Sequence, residues 1–582
     1  LSSEPRAVYS HRRQERQSQV LLLDASHHRI AWLRLVLVGL CLAGCCLAPG
    51  SWLILPVLLF LGLLRQHSQI KFRLESCRRA LEYYRLGLAR LEGNWPGQGN
   101  SGATFLDPQH PYARDLDLFG KGSLYELLCQ ARTRAGQQRV ADWLCRPATA
   151  DEVRRRQQAA QELRERLDLR EQLAGLQPTH QSLKGVSPAR WAQRPVRLQS
   201  LAARLLAGGL GFLGLAALIY WFWSYDPRPL GVMMLLNVGF MRSLGREVPE
   251  VLKDTEPVRG ECLALTAYLR RLEDESVSSP MLLLLWEPLQ TRPSRALSRL
   301  ETILDTLESR RNPLLGPLFA LMLVPYQLAA AVEGWRRRHG SKLELWLDSL
   351  AQIEALLCLA SFAWENPEYA WPKLGAPGTG LRAGKVGHPL LGHDCVHNDV
   401  DLTSCKLWIV SGSNMSGKSS LLRSLGCNVV LAMTGAPVRA ENMELEPLQV
   451  AGSIQLSDSL AAGVSRFYAE ILRLRQVLEQ AHGPARLFYL LDEILGGTNS
   501  QDRLAGARAV IKRLFEMDAL GLVTTHDLAL TELADELGPR AANVHFEDQL
   551  SEGVMSFDYQ LRSGVIQRSN ALELMRAVGL EV

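Results

Sequence analysis

Leu407-Trp408-Ile409-Val410-Ser411-Gly412-Ser413-Asn414-Met415-Ser416-Gly417-Lys418-Ser419-Ser420 is the stretch on which the reading of this chain turns. An apolar run of strand character feeds the spacing G-x-x-x-x-G-K-S over residues 412–419, and a helical pattern follows over 419–433. The glycines let the backbone curl so that its N–H groups face phosphate oxygens at a helix N-terminus. Gly412, Ser413, Asn414, Met415, Ser416, Gly417, Lys418, Ser419 and Ser420 are therefore the candidate nucleotide-binding residues. In such a loop the lysine, Lys418, reaches the β- and γ-phosphates and the hydroxyl of Ser419 ligates Mg²⁺, so ATP and Mg²⁺ are the expected ligands.

Downstream, residues 487–491 form a second apolar run that ends in Asp492-Glu493. A carboxylate at the first position suits the Mg²⁺ shell, and one at the second suits polarising an attacking water. A third run, 521–525, ends in His526, placed to sense the γ-phosphate. Lys418, Glu493 and His526 are thus the candidate catalytic residues, and Ser419 and Asp492 the metal ligands. Strand-like runs (407–410, 487–491, 521–525, 544–546) alternate with helical ones (419–433, 467–480, 503–516). That alternation predicts a mostly parallel sheet covered by helices.

The same residues carry a family resemblance. The Asn414-Met415 pair, the run Asp492-Glu493-Ile494-Leu495-Gly496-Gly497-Thr498-Asn499-Ser500 and Thr525-His526-Asp527 resemble the MutS family of mismatch-repair ATPases. So do Gly387-His388-Pro389-Leu390 with Asn398-Asp399, and Ser569-Asn570 with Gly579-Leu580. Upstream, Thr133-Arg134-Ala135-Gly136, Trp143-Leu144 and Arg156-Gln157 resemble the start of the family's helical core. The likeness covers about 115–200 and 245–582. Residues 458–467 resemble the family's D-x-x-x-x-G-x-S-x-F loop. The resemblance implies that Gly463, Ser465 and Arg466 serve the nucleotide of a neighbouring subunit, and hence a homodimer.

The departures are equally specific. No Phe-x-Glu wedge for a mispaired base occurs in residues 1–114, the connector domain is missing, and no nuclease sequence follows the ATPase within the 582 residues. Mismatch reading is therefore not expected, and DNA enters only as the partner that the resemblance implies. Where the family stacks an aromatic on adenine, this chain has Cys395-Val396-His397, with His397 in that place.

Outside these motifs the chain is unusually apolar in two places. Residues 35–48 and 52–64 are apolar arms around Pro49-Gly50-Ser51; 205–223 carries no charge, ends in Tyr220-Trp221-Phe222-Trp223, and is followed by a return over 230–241. Two transmembrane hairpins, at about 30–64 and 205–241, are expected. Residues 1–92 hold 13 Lys/Arg against 6 Asp/Glu, although the whole chain is only +5. The excess flanks the first hairpin and does not coat the ATPase end, which argues for a membrane surface over a nucleic-acid groove. Arg65, Lys71, Arg78, Arg197, Arg204, Arg242 and Arg246 lie on the inner flanks, so both turns point outward and the rest faces the cytoplasm. No cleaved signal peptide is expected, because a second apolar arm follows the first at once. Residues 313–332, with three prolines and a glutamine, read as a packed core helix. The eleven cysteines include no C-x-x-C pair and read as reduced thiols.

The expected architecture is multidomain. A basic region with a transmembrane hairpin fills 1–92, an α-helical MutS-like core and lever domain with the second hairpin fills 93–371, and an α/β P-loop ATPase domain fills 372–582. Helices are expected over 120–144, 151–173, 257–312 and 341–366, and the Gly/Pro-rich stretch 372–387 reads as a linker. The function expected is a membrane-anchored ATPase of the inner membrane, working as a dimeric switch. Two rivals are weaker. An ABC-type transporter lacks its L-S-G-G-Q signature here, and a scaffold without turnover does not need Glu493 and His526.

Overall fold

Long runs of Leu, Arg, Gln and Glu without an interior proline make the first two helices exceptionally long. In the computed structural model, which describes residues 4–47, 54–176, 188–198, 200–243, 247–309, 316–392, 395–413, 415–455, 466–496, 500–551 and 554–566, α1 is Pro5–Leu47 and α2 is Ile54–Leu91. They lie antiparallel, as a ladder of contacts shows: Tyr9 with Tyr84 at 5.5 Å, His27 with His67 at 4.6 Å, and Arg34 over the Phe60 ring at 5.6 Å.

The middle of the chain is helical. It comprises α3 (Leu124–Leu128), α4 (Arg134–Cys145), α5 (Ala150–Arg164), α6 (Leu167–Gly175), α7 (Pro188–Ala192), α8 (Leu201–Ser224) and α9 (Arg228–Ser243). Next come α10 (Glu247–Glu273), α11 (Pro280–Gln290), α12 (Pro293–Ser309), α13 (Gly316–Leu321) and α14 (Val324–Glu365). Ser123, Thr133 and Thr149 cap α3, α4 and α5 by accepting from the N–H three residues on. α14 is the spine, and α4, α5, α7, α10, α11 and α12 all pack on it.

Three sequence expectations are corrected here. The helix expected over 120–144 is split, because the buried carboxylate of Glu354 on α14 accepts from the backbone N–H of Arg132 (2.9 Å) and Thr133 (3.2 Å) and ties down the chain between α3 and α4. The stretch 151–173 is likewise two helices, parted at Glu165-Arg166. Residues 313–332 are not one helix, since Leu323 takes φ +53° and separates α13 from α14.

Residues 372–387 are a further correction, for they are sheet and not linker. β1 (Lys373–Leu374) and β2 (Leu381–Val386) join β3 (Asn398–Asp401) and β5 (Asn442–Leu445) in a four-stranded sheet ordered β1-β5-β2-β3. Its glycines make the turn between β1 and β2; Gly380, at φ +76°, lies so close to the Leu402 carbonyl that a Cβ would sit 2.3 Å away.

The second sheet has six strands in the order β10-β9-β4-β8-β7-β6. These are β4 (Leu407–Ser411), β6 (Leu448–Ser453), β7 (Arg486–Asp492), β8 (Leu520–Thr525), β9 (Ala541–Ser551) and β10 (Val554–Ser563). All neighbours are parallel except β9 and β10. α15 (Lys418–Thr434), α16 (Arg466–Gln480), α17 (Ser500–Glu516) and α18 (Leu528–Leu537) are the intervening helices. Every residue of β4 and β8 is buried, as strands covered on both faces must be.

Candidate functional site

Register brings the site together. Ser411 at the end of β4 pairs with Thr525 of β8, and Asp492 at the end of β7 pairs with Thr524. The carboxyl ends of three adjacent parallel strands therefore share one edge, where open α/β sheets bind ligands. The chain leaves β4 through Gly412 at φ +151°, where a Cβ would meet Ser416 Oγ at 2.8 Å. Gly417, at φ +107°, starts α15, and Met415 between them (φ +72°) is 82% exposed. Both glycines are needed for backbone shape.

Lys418 is buried. Its Nζ donates to the carbonyls of Gly412 (2.8 Å) and Ser413 (2.7 Å) and lies 3.4 Å from Glu493 Oε1. Ser419 Oγ donates to Asp492 Oδ2 at 2.6 Å, while Thr524 Oγ1 donates to Asp492 Oδ1. Glu493, at φ +45°, is pinned by its N–H to Thr524 Oγ1 at 3.1 Å, and its Oε2 lies 3.6 Å from His526 Nδ1. Ser413 Oγ donates to Asp548 at 2.6 Å, and Ser416 Oγ to the Ser413 carbonyl at 2.9 Å. Ser420 is exposed on the first turn of α15. Asn414, Gly463 and Ser465 lie outside the described residues, and Arg466 opens α16.

Lys418, Ser419, Asp492, Glu493 and His526 thus converge, although 108 positions separate the first from the last. The donor set fits magnesium nucleotide. A hydroxyl and a carboxylate oxygen 2.6 Å apart are hard ligands, and Mg²⁺ takes few protein ligands because water and phosphate fill its shell. Among the described residues no group of three or more His, Cys, Asp or Glu gathers as a metal cage. A cavity of about 20 Å³, large enough for a water, is bounded by Glu493, Thr524, Thr525 and His526.

Sequence reasoning passed over three residues of this edge: Thr524, which orients Asp492; Asp548, which holds Ser413; and Tyr559 on β10. A Cβ at Gly417 would meet the Tyr559 ring at 3.1 Å, and Asn398 holds the Tyr559 carbonyl at 3.0 Å. His397 is exposed beside Gly387 and Arg439, and partial burial and the charges of Arg439 and Lys385 lower its pKa. Only the aromatic alternation Phe557-Asp558-Tyr559 could have marked that strand in advance.

A mostly parallel sheet with a glycine-rich loop, a hydroxyl–carboxylate pair and a second carboxylate at one edge defines an α/β domain. The family model for MutS domain V matches residues 408–581. The chain is 32% identical over 263 residues to "DNA mismatch repair protein MutS 2" of Halobacterium salinarum, an alignment covering 44% of this chain and 30% of that one. It is 34% identical over 234 residues to "DNA mismatch repair protein MutS" of Thermus thermophilus, covering 40% and 28%. The likeness to MutS proteins therefore rests on this domain, through residues 408–581. It spans less than a third of the length of either of these two relatives.

Proposed function

We propose that this protein is a membrane-anchored MutS-like ATPase, which binds ATP at residues 412–420 and hydrolyses it to ADP and phosphate to drive a dimeric switch. The observation that carries the reading is the convergence of Lys418, Ser419, Asp492, Glu493 and His526 on one sheet edge. In this scheme Lys418 leaves its own loop carbonyls for the β- and γ-phosphates, a stronger acceptor set. Ser419 and Asp492 hold the magnesium ion, which neutralises charge between the phosphates. Glu493 accepts the proton of the attacking water, and His526 orients Glu493 and reports the γ-phosphate. The exposed Tyr559 ring beside Gly417 offers a face for the nucleotide base.

The membrane part of the proposal rests on exposed apolar surface. Two described helices are long and apolar enough to cross a bilayer, α8 and α14, but the apolar stretch of α14 is 78% buried inside the protein and is core. α8 is 22% buried, and Phe212 (72%), Trp223 (83%) and Leu235 on α9 (74%) stand exposed. Leu40, Leu42, Leu55 and Leu58 of the first hairpin are exposed too. Contiguous apolar surface on this scale marks a partner, and the flanking arginines suit the cytoplasmic face of the inner membrane. DNA is the family-based substrate of the switch, held through phosphates without mismatch preference.

The test is phosphate release by the whole detergent-solubilised chain, with and without matched and mismatched DNA. Lys418→Ala should lose nucleotide binding. Glu493→Gln should still bind ATP but hydrolyse it roughly 10²–10⁴-fold more slowly, the usual worth of a positioned base. Undiminished hydrolysis in Glu493→Gln would remove its role, and absence of nucleotide binding by the unsubstituted chain would end the ATPase reading.

A further inference from the structure

The second hairpin buries a narrow face, and what covers that face is visible. On α8 the buried residues are Ala207, Gly211, Gly214 and Ala217, spaced three or four apart on one side of the helix. The segment joining α13 to α14 presses its backbone into this groove. A Cβ on Gly211 would lie 2.4 Å from the Met322 carbonyl oxygen, and one on Gly214 would lie 3.0 Å from that of Leu321. From α9, the buried Asn237 donates its Nδ2 to the Leu321 carbonyl at 2.7 Å, and Phe240 stacks edge-on to Tyr326 at 5.3 Å.

The helix break at this contact has its carbonyls met by the protein itself. Breaking a helix frees carbonyls, which at a wet surface bind water. Here the protein supplies the donors. Leu323 N–H serves Ala320 O (3.2 Å), Asn237 serves Leu321 O, the Gln327 side chain serves Met322 O (3.4 Å) and Gln327 N–H serves Leu323 O (3.2 Å). Pro325, in the first turn of α14, has no N–H to satisfy. Residues 313–332 contain no charged side chain. Charge resumes at Glu333, which is buried against Arg336 and the Arg197 N–H, and then at Arg337 and Arg338. The carbonyls of the four residues at the break, 320–323, each accept from a protein donor, in an uncharged stretch that ends in arginines, and that is the kind of pairing non-helical chain needs at membrane depth.

The depth agrees. Gly211 and Gly214 lie 13 and 10 residues before Ser224 at the hairpin tip, hence roughly 15–20 Å below it at 1.5 Å per residue. That is about half of a hydrocarbon core of ~30 Å.

We propose that residues 316–332 form a third membrane-inserted element whose partner is the bilayer core. It is re-entrant: α13 lies beside the second hairpin, the chain turns at Met322-Leu323, and the first turns of α14 lead back to the cytoplasmic core. This rests on the membrane reading above, and the experiment separates the two. Photoreactive benzoylphenylalanine is placed singly at Phe212 on α8, at Phe319 or the exposed Ala320 on α13, and at the exposed Leu345 beyond the arginines of α14. The whole chain is reconstituted into phosphatidylcholine–phosphatidylglycerol vesicles, illuminated and analysed for covalent lipid. Lipid adducts at 212 and at 319 or 320, with none at 345, are expected. Adducts at 212 alone would overturn the re-entrant element and leave the hairpin standing. Adducts at no position would remove the membrane reading itself, and equal adducts at all positions, 345 included, would also overturn the element.

Discussion

At the scale of single residues, the loop before β3 holds the most informative titrating group. His388 is buried; its Nδ1 accepts from the Leu390 N–H at 3.2 Å, and its carbonyl accepts from Arg439 at 2.9 Å. Burial, with Arg423 and Arg439 nearby, pushes the imidazole pKa from 6.5 down to about 4. A neutral ring is what an Nδ1 acceptor requires. In the unfolded chain the ring protonates near 6.5, so between pH 6.5 and 4 the unfolded state binds more protons and stability falls as pH falls. The contribution is complete above pH 6.5, and about 3 kcal/mol of it is lost by pH 4. Thermal unfolding of the full chain across that window should therefore show a shallower acid slope in His388→Asn, which keeps an acceptor and cannot titrate. Equal slopes in the two proteins would mean that the ring stays solvated. That the glycine-rich loop and the Asp492-Glu493 pair sit at strand ends was legible in advance, because an apolar strand-like run leads directly into each. Thr524, Asp548 and Tyr559 were not, because only sheet register brings them there.

Among the elements, α14 does the most joining. Its N-terminal turns meet the second hairpin, while Glu365 at its end takes two bonds of 2.6 Å from Arg90 of α2 and one of 3.2 Å from Tyr9 of α1. Six residues after Glu365 the chain reaches Trp371 and then β1. One helix thus touches both hairpins and delivers the chain to the domain that carries the phosphate loop, which is the connectivity a lever needs. The side chains of Arg90 and Glu365 are 10% and 3% exposed, so the pair is a buried one. Removing one partner strands the other charge, at about 3–5 kcal/mol. Arg90→Ala should lower the unfolding free energy of the solubilised chain by about that amount, and the double replacement Arg90→Met/Glu365→Gln should recover most of it. A loss in Arg90→Ala of under about 1 kcal/mol, the worth of an exposed pair, would show that water reaches Glu365. Elements with strong apolar runs, β4, β7, β8 and the helices between them, were readable from sequence. β2 and β6 were not, since Gly and polar residues interrupt them, and β10 was not, since it is a polar strand paired only with β9. The split between α3 and α4 was equally hidden, because Glu354, which holds it, lies more than 200 positions away.

At the scale of the whole molecule, the proposed site is one-sided. Lys418, Ser419, Asp492, Glu493 and His526 all approach from the sheet edge, and transfer of a phosphoryl group to water needs donors around the remaining face as well. We propose that a second copy of the chain supplies them, through Gly463, Ser465 and Arg466. Residues 456–465 lie outside the described structure. Arg466 begins α16, and one turn later Glu470 accepts from the N–H of Leu495, two residues past Glu493. The described chain thus resumes at Arg466, one turn before the contact of Glu470 with Leu495. Mixing subunits decides between a cis and a trans role. Lys418→Ala chains and Ser465→Ala/Arg466→Ala chains should each be inactive alone. In a mixed dimer a trans-acting loop gathers both lesions into one site and leaves the other intact, so up to half of the activity per heterodimer should return. A cis-acting loop spoils one site through each chain and restores nothing. Absence of recovery between chains that demonstrably exchange partners would therefore end the composite-site proposal and confine each nucleotide to a single subunit.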